Sequence, residues 1–233
     1  MANGAAAAVI LDVDGTLVDS NDAHARAWVE AFAEQGIAVP FDRVRRAIGM
    51  GGDKLVPAVS GISEDSPGGA RVSARRAELF KTRYLPHLKA FPRIRELVAR
   101  LAADGFALAV ASSAKADELD PLLEIAGVAD LLPSRTSSDD ADRSKPDPDI
   151  VQAALTRTGA NKATTVMLGD TPYDVEAATR AGIAIVGLKC GGWTRADLCG
   201  AAEVYTDPAD VLVHYDESIF SRLRHVPRDF QRA

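Results

Sequence analysis

Apolar runs of strand length alternate with amphipathic helical segments over most of this 233-residue chain. The strand-like runs lie at residues 9–11, 106–111, 166–168 and 184–188. The helical segments between them repeat apolar residues every three to four positions and stop near glycines, as at Gly105, Gly159 and Gly182. Because strands that alternate with helices form βαβ units, the pattern predicts an α/β fold with a parallel sheet covered by helices on both faces.

Residues 21–90 interrupt this alternation. Trp28 and Phe32 belong to one apolar helical face there, and no strand-like run is present. The segment carries eleven Lys and Arg against eight Asp and Glu, which fits either solvated helix faces or contact with an anion. We predict an α/β core from residues 1–20 and 91–233 that carries an inserted all-helical domain at residues 21–90.

Two aspartates, Asp12 and Asp14, close the first strand-like run and are followed at once by Gly-Thr. Because an unpaired carboxylate is costly to bury, some other group must compensate these charges. Further polar side chains follow later strands or precede a helix, namely Ser112, Ser113, Lys145, Asp170 and Asp174. Since ligands bind outside the carboxyl ends of the strands in an open α/β sheet, we expect all of these groups to meet at one edge.

Carboxylates without His or Cys beside them favour a hard cation, and Mg²⁺ fits best. The candidate metal ligands are Asp12, Asp14, Asp170 and Asp174, the last either as a ligand or as a support for one. Such a site accepts a phosphate, because the cation and Lys145 neutralise its charge. Asp12 would attack phosphorus to form an aspartyl phosphate, and Asp14 would first donate a proton and later activate water. Ser112, or its neighbour Ser113, would bind a phosphoryl oxygen.

The segments DVDGTLVDS at residues 12–20 and GDTPYD at residues 169–174, with a serine after the second strand and Lys145 before a proline, resemble the motifs of the haloacid dehalogenase superfamily. The helical insert is similar to the C1 cap of subclass I, which contains phosphoglycolate-phosphatase-like and β-phosphoglucomutase-like enzymes. This resemblance covers essentially the whole chain and implies a Rossmannoid core with a mobile helical cap. It also implies that Thr16 holds the loop beside the nucleophile, at the phosphate.

The resemblance also ranks the activities. Dehalogenases and phosphonatases lack the second aspartate, so Asp14 favours phosphomonoester hydrolysis, with β-phosphoglucomutase-like transfer as the alternative and phosphonatase activity less favoured. Mutases carry an arginine where this chain has Gly52, which again favours a phosphatase. His24 matches a mutase histidine and Lys54 an imine-forming phosphonatase lysine, so both are candidate substrate contacts. Most arginines of the insert are expected to be solvated, with one or two reaching the substrate: Arg43, Arg45, Arg46, Arg75 and Arg76.

A receiver-like signalling module is the non-enzymatic alternative. Receivers also gather aspartates and a lysine around Mg²⁺ at the edge of a parallel sheet. They do not need an acid two residues after the phosphorylated aspartate, nor an insert of this size, and both are present here.

Composition limits the partners and the compartment. The net charge of −6 argues against nucleic acid, and no apolar run approaches the roughly 18 residues of a membrane span. The opening MANGAAAAVIL has no basic region and is not expected to direct export. Only two cysteines, Cys190 and Cys199, are present, which fits a reducing compartment. We expect a cytoplasmic monomer that binds a small anionic phosphorylated substrate, such as a sugar phosphate or phosphoglycolate.

Overall fold

The structure, a computed structural model, describes residues 7–224. Its core contains a six-stranded sheet in which every neighbouring pair of strands is parallel. The strands are β1 (Ala8–Leu11), β2 (Ala107–Ala111), β3 (Ser134–Thr136), β4 (Thr165–Gly169), β5 (Ala184–Leu188) and β6 (Glu203–Tyr205). Their order across the sheet is β3-β2-β1-β4-β5-β6. The predicted parallel sheet is therefore confirmed.

Helices lie between most consecutive strands of the chain and after the last strand. They are α1 (Asn21–Glu34), α2 (Phe41–Arg45), α3 (Gly52–Ser60), α4 (Pro67–Leu79), α5 (Ile94–Ala103), α6 (Ala116–Ile125), α7 (Asp149–Thr158), α8 (Pro172–Ala181), α9 (Pro208–Val213) and α10 (Ile219–Arg224). Helices α7 and α8 end at Gly159 and Gly182, which adopt the left-handed conformation that glycine accepts most readily. Both helix ends lie where the sequence predicts them.

Alternation along β1 divides the core into two layers. Val9 and Leu11 pack into the cluster that includes α5 and α6, whereas Ile10 packs with α7 and α8 on the other side. Successive side chains of a strand point to opposite faces, so a strand that is apolar at every position needs cover on both sides. The structure provides that cover, and the predicted α/β class is confirmed.

The segment at residues 21–90, hereafter the helical insert, contains α1 to α4 and no strand of the sheet. Its two connections to the core lie side by side, because Val18 forms an antiparallel bridge with Ala90. The backbone N–H of Phe91 also donates to the carbonyl of Leu17 at 3.0 Å. The chain therefore leaves and re-enters the core at adjacent points. The domain boundaries at residues 20 and 90 stay a prediction.

Two strands, β3 and β6, do not appear among the strands that the sequence predicts. Each has only three residues, and β6 is half-buried along its whole length, so neither produces an apolar run. Both cysteines are free. Within residues 7–224, no helix combines the length and the apolarity needed to cross a bilayer. The prediction about an export signal concerns a segment of which residues 1–6 lie outside the described residues.

Candidate active site

The side chains expected to act together lie at the carboxyl edge of the sheet, where the strand order reverses. From β1 the chain builds outward to β2 and β3, and then returns to β4 on the opposite side of β1. Leu11 is in register with Leu168, and the backbone N–H of Asp12 donates to the carbonyl of Leu168 at 2.9 Å. Ligands of open α/β sheets bind in the crevice outside such a switch point. The β1–β4 pair thus places Asp12 beside Asp170.

Asp12 is only 6% exposed, and both of its carboxylate oxygens have a donor. Lys145 Nζ donates to Oδ1 at 2.5 Å, and Thr16 Oγ1 donates to Oδ2 at 3.2 Å. Burial raises the pKa of Asp12 to about 7 against the opposing charge of Lys145, and the neighbouring charge of Asp174 adds to the rise. A carboxylate in this position is costly to ionise unless a further cation joins it.

Asp170 follows β4 and is completely buried. Asn21 Nδ2 donates to its Oδ2 at 2.9 Å, and Thr16 Oγ1 lies 3.1 Å from its Oδ1. Burial, together with the charges of Asp12 and Asp174, raises the pKa of Asp170 well above its usual range. Asn21 was not identified from the sequence, because an asparagine at the start of a helix carries no signal of a contact 149 residues away.

Asp174 serves both the helix and the site. Thr171 is the N-cap of α8, and Asp174 completes a capping box in which its Oδ2 accepts bonds from the backbone and side chain of Thr171. The other carboxylate oxygen, Oδ1, lies 2.8 Å from Lys145 Nζ. The helix begins at Pro172, so Asp174 lies in its first turn and is not the N-cap residue itself.

Three buried carboxylates form a group that fits a metal ion. Asp12, Asp170 and Asp174 each offer one oxygen, and these oxygens all lie within 4.8 Å of one another. An all-oxygen donor set favours a hard cation such as Mg²⁺. Burial and the neighbouring acids raise the pKa values of Asp12 and Asp170, and a cation would offset both effects. The side chain of Asp14 lies outside this group, and its role as a metal ligand stays a prediction.

Asp14 is bound from the side of the helical insert. His24 Nε2 lies 2.8 Å from Oδ1 of Asp14, and Ser20 Oγ donates to the same oxygen at 2.5 Å. The His24 ring stacks on Phe80 with the ring centroids 3.8 Å apart. Burial raises the pKa of Asp14, but His24 and Ser20 outweigh it, so the pKa lies below its usual value. Helix α1 therefore orients this carboxylate and favours its ionised form.

The two serines after β2 make different contacts. Ser112 is fully buried, and its Oγ accepts the backbone N–H of Ala114 at 3.0 Å. Ser113 Oγ donates to the carbonyl of Gly49 in the helical insert at 3.2 Å. Both serines lie at the predicted edge of the sheet, and the choice between them as the phosphate-binding residue stays a prediction.

Lys54 joins the helical insert to the segment that carries Lys145. Its Nζ donates to the carbonyl of Ser144 at 2.7 Å and forms an ion pair with Asp147. The backbone N–H of Gly51 also donates to Ser144 Oγ, at 3.0 Å. These bonds hold the insert against the core close to the acidic cluster. A direct contact between Lys54 and substrate stays a prediction.

A small cavity of about 50 Å³ lies between the helical insert and the carboxyl edge of the sheet. Asp12, Asp14 and His24 line it, together with the apolar surface of Trp28. Arg76 and Glu118 also line it, together with residues 48–52 and 113–114. Arg76 is one of the five arginines singled out from the sequence, whereas Glu118 was missed, because an acid in an amphipathic helix is normally solvent-exposed.

Known proteins match this chain over most of its length. A family model described as haloacid dehalogenase-like hydrolase matches residues 9–188. The chain is 33% identical over 189 residues to Probable phosphatase IndB of Dickeya dadantii, covering 78% of this chain and 81% of that protein. It is 32% identical over 215 residues to a phosphoglycolate phosphatase of Rhodospirillum rubrum, covering 88% of both chains. A crystal structure of a hydrolase from Pseudomonas syringae has a TM-score of 0.84 and 32% identity, covering 90% of this chain and 98% of that one.

Proposed function

The chain belongs to the haloacid dehalogenase-like hydrolase family, and from this premise we propose that it hydrolyses a small phosphomonoester through an aspartyl phosphate on Asp12. The observation that carries the proposal is the position of Asp12, which contacts Lys145 and lies beside Asp170 at the switch point of the sheet. Asp14 lies two residues further along the chain, where its carboxylate contacts His24. Relatives named as phosphatases support the reaction class.

Asp12, Asp170 and Asp174 would hold the Mg²⁺ ion. When bound, the ion neutralises charge on the carboxylates and on the phosphoryl group, which lets an anionic nucleophile approach an anionic phosphate. Lys145 supplies positive charge at the same place, since its Nζ contacts both Asp12 and Asp174. The mutual contacts of these side chains orient the Asp12 carboxylate before substrate arrives.

Asp12 attacks phosphorus, and the bond between phosphorus and the leaving oxygen breaks. Asp14 donates the proton that the leaving oxygen requires, and His24 Nε2 lies 2.8 Å from its Oδ1. In the second step a water oxygen bonds to phosphorus, the bond between phosphorus and the Asp12 oxygen breaks, and Asp14 accepts a proton from the water. The lowered pKa of Asp14 suits this second role. The products are the free alcohol, inorganic phosphate and unmodified Asp12.

Phosphoryl transfer of the β-phosphoglucomutase type is the second candidate, favoured by the contact between His24 and Asp14. The position that carries an arginine in those enzymes is Gly52 here. A Cβ atom at Gly52 would lie 2.2 Å from Oε1 of Glu64, so a larger side chain there requires Glu64 to move. Hydrolysis is therefore the preferred function.

Phosphate release from p-nitrophenyl phosphate, phosphoglycolate and β-glucose 1-phosphate tests the proposal, with Mg²⁺ and with EDTA. We expect metal-dependent release by the wild type and none by Asp12→Asn. Asp19→Asn is the matched control, since it makes the same change at an exposed aspartate of the neighbouring loop. Formation of glucose 6-phosphate after addition of a bisphosphate primer, without hydrolysis, would support the mutase instead. Stable phosphorylation of Asp12 without any turnover would support a signalling module.

The proposal includes three further predictions made from the sequence. The helical insert acts as a mobile cap, the protein works as a monomer, and it resides in the cytoplasm. Sedimentation of the purified protein tests the second of these, and hydrogen exchange at residues 21–90 with and without a phosphate analogue tests the first.

A further inference from the structure

A buried ion pair forms part of the cavity wall where the helical insert meets the core. Arg76 comes from α4 of the insert, and Glu118 comes from α6 of the core. Arg76 Nη1 donates to both carboxylate oxygens of Glu118, at 3.0 and 2.8 Å. Glu118 is only 1% exposed, so its charge depends on Arg76 for compensation.

The guanidinium group of Arg76 is held from a second side as well. Its Cζ lies 5.0 Å from the centre of the Trp28 ring, which is also part of the cavity wall. The Nε–H of Arg76 is buried and has no hydrogen-bond partner within residues 7–224. The guanidinium group of Arg76 is therefore held in place in the cavity wall, and Glu118 neutralises its charge. Its Nε–H group remains a donor without an acceptor among the described residues.

The cavity offers a leaving group little free positive charge. Among the described residues that line it, the basic side chains are Arg76 and His24, and each contacts an acid. Lys54, the nearby lysine of the insert, pairs with Asp147 instead. Because Asp12, Arg76 and Glu118 line the same cavity of about 50 Å³, a leaving group attached to a phosphoryl group at Asp12 would occupy the space beside the pair.

On the basis of the phosphatase function proposed above, we propose that the Arg76–Glu118 pair selects the substrate by charge. It favours a phosphomonoester whose leaving group is neutral and carries hydroxyl groups over one whose leaving group carries a carboxylate. Glu118 is thus a specificity-determining residue of the site. This preference differs from the substrate in the names of several relatives, which are phosphoglycolate phosphatases.

The physical reason lies in what each leaving group does to the pair. A hydroxyl group donates to Glu118 and accepts from Arg76, so it binds without separating them. A carboxylate competes with Glu118 for Arg76. If the carboxylate displaces Glu118, a buried and uncompensated charge is left on Glu118. A carboxylate that leaves the pair intact instead lies beside the like charge of Glu118. Both arrangements disfavour the anionic leaving group.

Two esters of nearly equal size isolate this effect, namely 2-hydroxyethyl phosphate and phosphoglycolate. They share the same two-carbon skeleton and differ in that one ends in a hydroxymethyl group and the other in a carboxylate. We would measure kcat/KM for both esters with Mg²⁺ in the wild type, Glu118→Gln, Arg76→Gln and the double variant. p-Nitrophenyl phosphate is measured in each protein as an independent readout of phosphatase activity.

The ratio of the two kcat/KM values should depend on the net charge of the Arg76–Glu118 pair. We expect the wild type to favour 2-hydroxyethyl phosphate by about tenfold or more, and Glu118→Gln to move the ratio towards phosphoglycolate by about tenfold. Arg76→Gln should move the ratio in the opposite direction. The double variant, again neutral, should return to within about threefold of the wild type. Because both esters meet the same preparation, partial unfolding of a variant cancels in the ratio.

The outcomes separate this inference from the function on which it rests. A ratio that stays the same in all four proteins, or a wild type that prefers phosphoglycolate, overturns the charge selection and leaves the phosphatase function standing if p-nitrophenyl phosphate is hydrolysed. Failure of the wild type to release phosphate from any of the three esters overturns the phosphatase function and the selection with it.

Discussion

Adding one methyl group at Gly191 should disable the acidic cluster without changing any of its side chains. A Cβ atom at this position would lie 1.7 Å from Oδ2 and 2.4 Å from Cγ of Asp170. Non-bonded carbon and oxygen atoms repel each other at distances shorter than about 3.2 Å. The Asp170 carboxylate would therefore have to move by roughly 1.5 Å. The Gly191 backbone does not lie in the left-handed region, so the whole effect of Gly191→Ala is steric.

Asp170 has no room for such a retreat. It is completely buried and is held by Asn21 at 2.9 Å and Thr16 at 3.1 Å. We expect overpacking to lower the free energy of unfolding by about 1–3 kcal/mol. Displacement of a carboxylate by more than 1 Å should lower kcat/KM by about 100-fold or more. The Mg²⁺ concentration for half-maximal activity should rise, because Asp170 is one of the three acids of the buried cluster.

Phosphate release titrated against Mg²⁺, together with thermal melting, checks this prediction. Gly68→Ala is the matched control, because a Cβ atom there meets nothing closer than 3.9 Å and the residue lies in the first turn of α4. The control should keep wild-type activity and stability. If folded Gly191→Ala kept its Mg²⁺ response and its kcat/KM within about twofold of the wild type, the proposed role of Asp170 would be wrong.

Three further predictions concern the charges of the site. Lys145→Met should lower the free energy of unfolding in EDTA by about 3–5 kcal/mol, because it removes the cation that Asp12 and Asp174 share; a urea-unfolding difference below about 1 kcal/mol would contradict this. In EDTA the folded protein retains a proton on Asp12 up to a pKa of about 7, whereas the unfolded chain loses it near 3.8. Stability should therefore fall as pH rises from 4 to 7, by up to about 4 kcal/mol more than in Asp12→Asn, and urea midpoints that show no such difference would refute the raised pKa. His24→Asn should raise the pKa of Asp14 and move the acidic limb of the kcat profile to higher pH, and an unshifted limb would exclude His24 as its partner.

The parallel sheet and its acidic edge were predictable because they depend on local patterns. Strands buried on both faces are recognisable in the sequence as short runs of mainly apolar residues, as along β1 and β4. The carboxyl ends of parallel strands share one edge whatever the details of packing. Asp12, Asp170, Asp174 and Lys145 could therefore be placed together from the sequence. In the structure the three acids form one cluster, and Lys145 contacts Asp12 and Asp174.

Short and half-exposed elements were not predictable in this way. Strands β3 and β6 pair with β2 and β5 through backbone hydrogen bonds, which do not depend on an apolar side-chain pattern. Asp174 shows a related limit, since its position at the start of a helix suggests a cap or a ligand. In the structure its two oxygens serve Thr171 and Lys145 separately.

The sequence by itself determined the α/β class, the place of the helical insert and the chemical types gathered at the sheet edge. Tertiary structure alone decided the partners across the boundary between insert and core. His24 bonds to Asp14, Lys54 to Asp147, and Arg76 to Glu118, the last pair 42 residues apart. These contacts depend on how the insert packs against the core, and a side chain's own periodicity carries no information about a charge on a distant helix. Such contacts form the side of the cavity that would face the leaving group. Its specificity can therefore be inferred from the folded structure but not from the sequence alone.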